Sequence, residues 1–138
     1  MVDANIVATR IQRIRECVGY LKRIGEVTTE ESFFKDPILA GSAERYLQVA
    51  IQAVLDICNH IVADLGLEAP TEYRQVPEIL ASQKLLSIPL ARRIGLMIGL
   101  RNVLVHEYLK VDRRLVYSII TEDLGDFAKF IKAVGKFL

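Results

Sequence analysis

The run from Asp36 to Leu65 restricts the fold of this chain more than any other segment. Asp36 is a good helix cap, and Pro37 after it falls at a first helical position, where its missing N–H costs nothing. A helix starting at Pro37 or Gly41 would carry Leu39, Ala43, Leu47, Ala50, Val54, Ile57, Ile61 and Leu65 along one stripe, with Gly66 as its stop. A helix of about 25 residues is long for a 138-residue chain, and its simplest role is a spine for a helical bundle.

The other segments read as partners for that spine. Residues 4–24 place Ile6, Ile11, Ile14, Val18, Leu21 and Ile24 near a 3.6-residue period, with Arg10, Arg13, Arg15, Lys22 and Arg23 on the other faces and Gly25 as a stop. Glu26 to Lys35 is a connection with one short helical piece. Thr71 is positioned to cap a third helix over 72–86, in which Pro77 predicts an N-terminal turn followed by a restart. Ser87 caps a fourth helix from Ile88 to about His106, with Pro89 in its first turn. Gly95 and Gly99 interrupt it, each costing roughly 0.5–1 kcal/mol relative to alanine. A close helix contact through Ala91, Gly95, Gly99 and Asn102 or Val103 would explain them. Val111 to Leu138 then holds a short helix around Arg113–Ile120 and a longer one from Asp123. Leu115 to Ile120 is the one plausible strand, and the surrounding helical pattern argues against it. The expected fold is all-α, a single domain over 1–138 built as an up-and-down four-helix bundle with additional short helices.

Composition narrows the function classes. Apolar residues make up 51% and charged residues 25%, too apolar for disorder and rich enough to suggest self-association. The start MVDANIVATRIQR carries Asp3 and no uninterrupted apolar core, so neither a signal peptide nor a membrane anchor is expected, and the chain reads as cytoplasmic. Cys17 and Cys58 form no CxxC and lie beside aliphatic neighbours, as buried reduced thiols do. With two cysteines and two distant histidines, no metal site and no cofactor is expected. The net charge of +1 hides an asymmetry: residues 36–83 carry a net −5 and residues 84–114 a net +5. The basic segment could attract a polyanion, or the two halves could simply complement each other.

That basic segment contains Arg101-Asn-Val-Leu-Val-His-Glu-Tyr108. On a helix, Arg101 and His106 lie well apart around the axis, but the long arginine side chain spans the curvature, and Asn102 sits one turn before His106, where it could orient the imidazole. Histidine moves protons near neutral pH, and a guanidinium offers paired donors to phosphate oxygens without losing its charge. Both are what RNA cleavage without a metal requires. One histidine cannot readily act as both base and acid, whereas a two-fold homodimer supplies two copies of Arg101 and His106. Arg92 and Arg93 are candidates for guiding RNA. His60 reads as a structural, hydrogen-bonded histidine, and Asp56 and Glu44 as anchors for basic residues of neighbouring helices. The bland reading is that His106 merely favours a helix C-terminus and Arg101 packs on the surface.

RNVLVHEY resembles the R-x4-H-x-Y signature of HEPN-fold toxins of the HepT type. Glu44-Arg-Tyr-Leu-Gln-Val-Ala-Ile51 and Asp56-Ile-Cys-Asn-His-Ile61 resemble that family's second-helix segments, and the similarity extends from the first helix through Phe130. The resemblance implies a homodimeric, HEPN-like helical toxin that cleaves RNA without a metal, with Arg101 and His106 catalytic, Asn102 supporting and Tyr108 as the motif tyrosine. It further implies a cognate antitoxin, a minimal nucleotidyltransferase of the MntA type, that transfers AMP onto Tyr108. Phosphates added beside Arg101 and His106 would occupy the site and repel RNA. The alternative is a non-catalytic dimeric adaptor or regulatory subunit for a nucleotidyltransferase. A DNA-binding regulator lacks a basic recognition helix in a helix–turn–helix.

Overall fold

The computed structural model describes residues 2–68 and 70–137, with Tyr108 described by its backbone alone. The helices are α1 (Ala4–Val27), α2 (Glu30–Lys35), α3 (Pro37–Asp64), α4 (Val76–Ser82), α5 (Ile88–His106), α6 (Arg113–Ser118) and α7 (Gly125–Phe137). Single 3-10 turns occupy Tyr73–Gln75 and Tyr108–Lys110, and a π-helical turn, Ile119–Asp123, joins α6 to α7. There is no strand among the described residues, and Leu115 to Ile120 is helical, with Val116 and Ile120 burying the same face one turn apart. The long helices pack as a ring, α1 on α3, α3 on α5, α5 on α7 and α7 on α1. This is an all-α four-helix bundle with short additional helices.

α3 is the spine. The Asp36 carboxylate accepts from the amides of Ile38 and Leu39, and Gly66 turns the chain away at φ 68. Leu47, Ile51, Val54, Ile57 and Ile61 are sealed from solvent, each a burial that stabilises by roughly 1.5–3 kcal/mol. By length and composition α3 could cross a membrane, but 56% of its most apolar stretch is buried inside the bundle, as in a core helix. α1 runs antiparallel to it: Arg10 meets Asp56, and the ring of Tyr20 lies 4.9 Å from that of Tyr46.

Several boundaries differ from the sequence expectation, each for a packing reason. The buried face of α1 is Val7, Ile11, Ile14, Cys17, Leu21 and Ile24, so Ile6 turns outward and Cys17 takes the seat expected for Val18. Gly25 does not stop α1. It rests against the π-helical turn, with the carbonyl of Ile120 3.6 Å from where a Cβ would stand, and the helix continues to Val27. Thr71 caps no helix among the described residues; Glu72 precedes the 3-10 turn, and α4 restarts at Val76 with Pro77 in its first turn and ends at Ser82, short of 86. α2 is the expected short piece, closed by a reciprocal Thr29–Ser32 capping box.

Candidate active site

α5 carries the motif to one end of the bundle. The Ser87 hydroxyl accepts from the Leu90 amide at 3.2 Å, Pro89 occupies the first turn, and Leu90, Ala91, Ile94, Met97, Ile98 and Leu104 face the core. His106 is the last residue of the helix and is exposed, and the amide of Glu107 closes the final turn onto the Val103 carbonyl at 2.8 Å. Tyr108 starts the following 3-10 turn; the placement of its side chain, and with it the modification site implied by the resemblance, lies outside the described residues.

Arg101 is half-buried. Its Nη1 donates to the Oδ1 of Asn102 at 3.1 Å, and its Nε is buried with no hydrogen-bond partner among the described residues. The Asn102 oxygen therefore holds Arg101, and no hydrogen bond among the described residues joins Asn102 or Arg101 to His106. An unsatisfied buried donor costs on the order of 1–3 kcal/mol. Within one chain, then, the structure puts Arg101 and His106 on one helix terminus, five residues apart, without linking them.

The two glycines of α5 separate. A Cβ on Gly95 would sit 3.1 Å from the Arg74 carbonyl, so the close contact is with the 3-10 turn and not with a helix. At Gly99 nothing lies within 4 Å of such a Cβ. Leu96, three residues before Gly99, is 76% exposed, and Val103, four residues after it, is half-buried. With His106 they form an outward stripe that the described residues cover only in part.

The two arginines proposed to guide RNA also separate. Arg92 is exposed. Arg93 is committed: its Nε meets Oδ1 of Asp126 at 2.9 Å, where it neutralises a carboxylate that is only 11% exposed. His60 has a structural partner, its Nε2 accepting from the Asp3 amide at 3.0 Å, while the Asp3 carboxylate caps α1. Asp56 anchors basic and polar neighbours, taking Arg10 Nε at 3.2 Å and Gln52 Nε2 at 2.7 Å. Glu44 is pushed above the ordinary carboxylate range by burial, with Arg113 pulling it partly back. Gln52 is half-buried, with an Oε1 that is buried without a hydrogen bond among the described residues, a polar position that the apolar periodicity of α3 concealed.

Neither thiol is a candidate nucleophile. Burial pushes Cys58 up to about 12 and raises Cys17 as well, which keeps both protonated at neutral pH. No three His, Cys, Asp or Glu side chains come together among the described residues in a way that could hold a metal ion.

Comparison with known proteins places this geometry in a family. The family described as ribonuclease HepT-like matches residues 10–134. The chain is 34% identical over 131 residues to the mRNA nuclease HepT of Shewanella oneidensis, covering 94% of this chain and 96% of that one. It is 29% identical to the tRNA nuclease HepT of Aphanizomenon flos-aquae, covering 99% and 92%. Among solved structures, the tri-AMPylated Shewanella oneidensis HEPN toxin in complex with MNT antitoxin superposes with a TM-score of 0.88 at 28% identity, over 97% of this chain and 99% of that one.

Proposed function

The chain belongs to the HepT-like ribonuclease family, and from that premise we propose that it is the toxin of a type VII toxin–antitoxin pair, an endoribonuclease that acts in the cytoplasm. Its relatives are named as nucleases of mRNA and of tRNA, and the matching toxin structure is a complex with an MNT antitoxin. The observation that carries the reading to this chain is the presence, on one helix terminus, of an exposed His106 and of an Arg101 whose buried Nε has no hydrogen-bond partner among the described residues.

The reaction we infer needs no metal. The 2′-oxygen of a ribose attacks the adjacent phosphorus while its proton passes to one imidazole. The bond to the 5′-oxygen breaks, and that oxygen takes a proton from a second imidazole. The products are a 2′,3′-cyclic phosphate and a 5′-hydroxyl. Arg101, held by Asn102, would stabilise the extra negative charge on the phosphate. Two imidazoles require two copies of His106, and the outward stripe of Leu96, Gly99 and Val103 offers a surface on which a second copy can bring them together. Arg92, exposed on the same helix, would contact RNA. We assign Tyr108 as the residue that an MntA-like nucleotidyltransferase modifies with AMP. The tri-AMPylated state of the matching toxin supports this, and the added phosphates would face Arg101 and His106 and exclude substrate.

The test is cleavage of labelled RNA in EDTA by the wild-type protein beside Arg101→Ala and His106→Ala. Losing either group should lower the rate by roughly 10²–10⁴-fold, as removal of a general acid–base or of a charge-stabilising donor does. Wild-type cleavage that EDTA abolishes would remove the metal-free mechanism. Intact RNA with retained binding to a nucleotidyltransferase would replace the enzyme with an adaptor.

A further inference from the structure

Of the five cations of α1, four fall into two groups that the fold treats differently, and Arg23 belongs to neither. Arg10 is paired with Asp56 and Arg13 with Glu16. On the side toward α7, Arg15 and Lys22 have no ion pair among the described residues, and neither has Lys132 across from them. These three side chains line one groove of about 410 Å³, floored by Val18, Ala128 and Ile131 over the sealed ring of Phe127. No acidic side chain lines it, and after Asp126 the sequence has Lys129, Lys132 and Lys136 and no acid. Arg15, Gly19 and Lys22 follow each other at steps of four and three, so one stripe of α1 forms the rim.

Gly19 is the second observation. A glycine inside a helix lowers its stability relative to alanine, and nothing within 4 Å of a Cβ there offsets that loss inside the chain. It sits between the two cations of α1, at the middle of the groove wall, and leaves the helix backbone open to close approach.

We propose that the α1/α7 groove is a second RNA-binding site, in which Arg15, Lys22 and Lys132 hold phosphates of a single-stranded substrate away from the cleavage site and Gly19 gives the strand room against α1. The proposal rests on the ribonuclease reading above. Unpaired cations converging on one concavity suit a phosphate backbone, which binds by releasing its condensed counterions. An acidic amphipathic helix carries the same charge but needs a row of apolar anchors. The groove floor is apolar, but it supplies only small and medium aliphatics for such anchors, the half-buried Val18 and Ile131 and the exposed Ala128, because Phe127 is sealed beneath them.

The test uses two variants of the whole chain, the charge reversal Arg15→Glu/Lys22→Glu/Lys132→Glu and the steric block Gly19→Gln. In a His106→Ala background, binding of a fluorescent single-stranded RNA of about 16 nucleotides should weaken by at least about tenfold in the charge variant, with the salt dependence shallower by about 2 from three lost phosphate contacts. Gly19→Gln should raise the melting temperature and still weaken RNA binding, an outcome that a solvated cationic face would not produce. In the His106-intact protein, the ratio of long-RNA to dinucleotide cleavage should fall in both variants. Unchanged affinity and salt slope in both would overturn the site, as would weakened RNA binding in neither variant combined with an acidic amphipathic peptide that binds wild type and not the charge variant. Absence of any RNA cleavage by the wild-type chain sinks the ribonuclease reading instead, and the binding measurement still decides the groove.

Discussion

Both α3 and α5 open on a polar cap and an early proline, Asp36 with Pro37 in one and Ser87 with Pro89 in the other, and both are mostly apolar. Beyond its first turn, where Ile38 is exposed, α3 turns most of its large aliphatics inward, so that Leu47, Ile51 and Ile57 have essentially no contact with solvent. α5 buries one side and presents Leu96, Gly99, Val103 and His106 on the other. Equal hydrophobicity therefore marks a spine in one helix and an unfinished surface in the other. The difference lies in how many sides of each helix the rest of the chain can cover.

Truncation in the two helices should separate them most sharply. Leu47→Ala removes a sealed side chain and should cost about 2–5 kcal/mol in urea unfolding. Leu96→Ala, at a position 76% exposed, should change monomer stability by less than about 0.5 kcal/mol and instead weaken self-association in sedimentation experiments. Equal losses at the two positions would mean that the outer face of α5 is not free.

The glycine pair gives a smaller effect of opposite sign within one helix. Gly95→Ala places a methyl 3.1 Å from the Arg74 carbonyl and should destabilise by about 1 kcal/mol. Gly99→Ala meets nothing and should stabilise the monomer by about 0.5–1 kcal/mol through helix propensity. If a second copy packs on that face, the same Gly99→Ala protein should dimerise more weakly and cleave RNA more slowly, which thermal melts and activity assays read side by side.

The smallest expected effect is at Glu44, which α3 holds half-buried beside the end of the bundle. Its carboxyl titrates above its ordinary 4.5 chiefly because burial disfavours the charge. The folded state thus binds this proton more tightly than the unfolded state. The stabilising contribution of the neutral form is complete below 4.5 and disappears as pH rises through the folded value. Glu44→Gln should therefore melt slightly higher than wild type at neutral pH, and the gap should close in acid. A gap that widens in acid would show the Arg113 attraction, and not burial, to be the dominant cause.

Much of this arrangement was legible in the residue order because it depends on local rules. The caps Asp36 and Ser87, the start of α3 at Pro37 and the restart at Pro77 follow from which backbone groups a helix end leaves unpaired. The position of Arg101 and His106 at the end of α5 was equally legible, since the Ser87 cap and the apolar run that follows it fix where that helix lies. What stayed hidden came from side chains far apart in sequence. Arg93 looked free until Asp126 met it from α7. Gly25 looked like a stop until the π-helical turn packed against it. Asn102 read as able to orient His106, and its side-chain oxygen instead accepts from the adjacent Arg101.

Amphipathic period and capping, which act over a few residues, determined by sequence alone that this chain is a bundle built on α3 and that the run from Arg101 to His106 falls at the end of α5. Only the tertiary structure decided which cations are spent on carboxylates and which remain open. Arg10 and Arg93 find acids on other helices, while Arg15, Lys22 and Lys132 line a groove without one. Whether a charge is paired depends on what a distant helix brings within a few ångströms, and a linear pattern does not contain that distance.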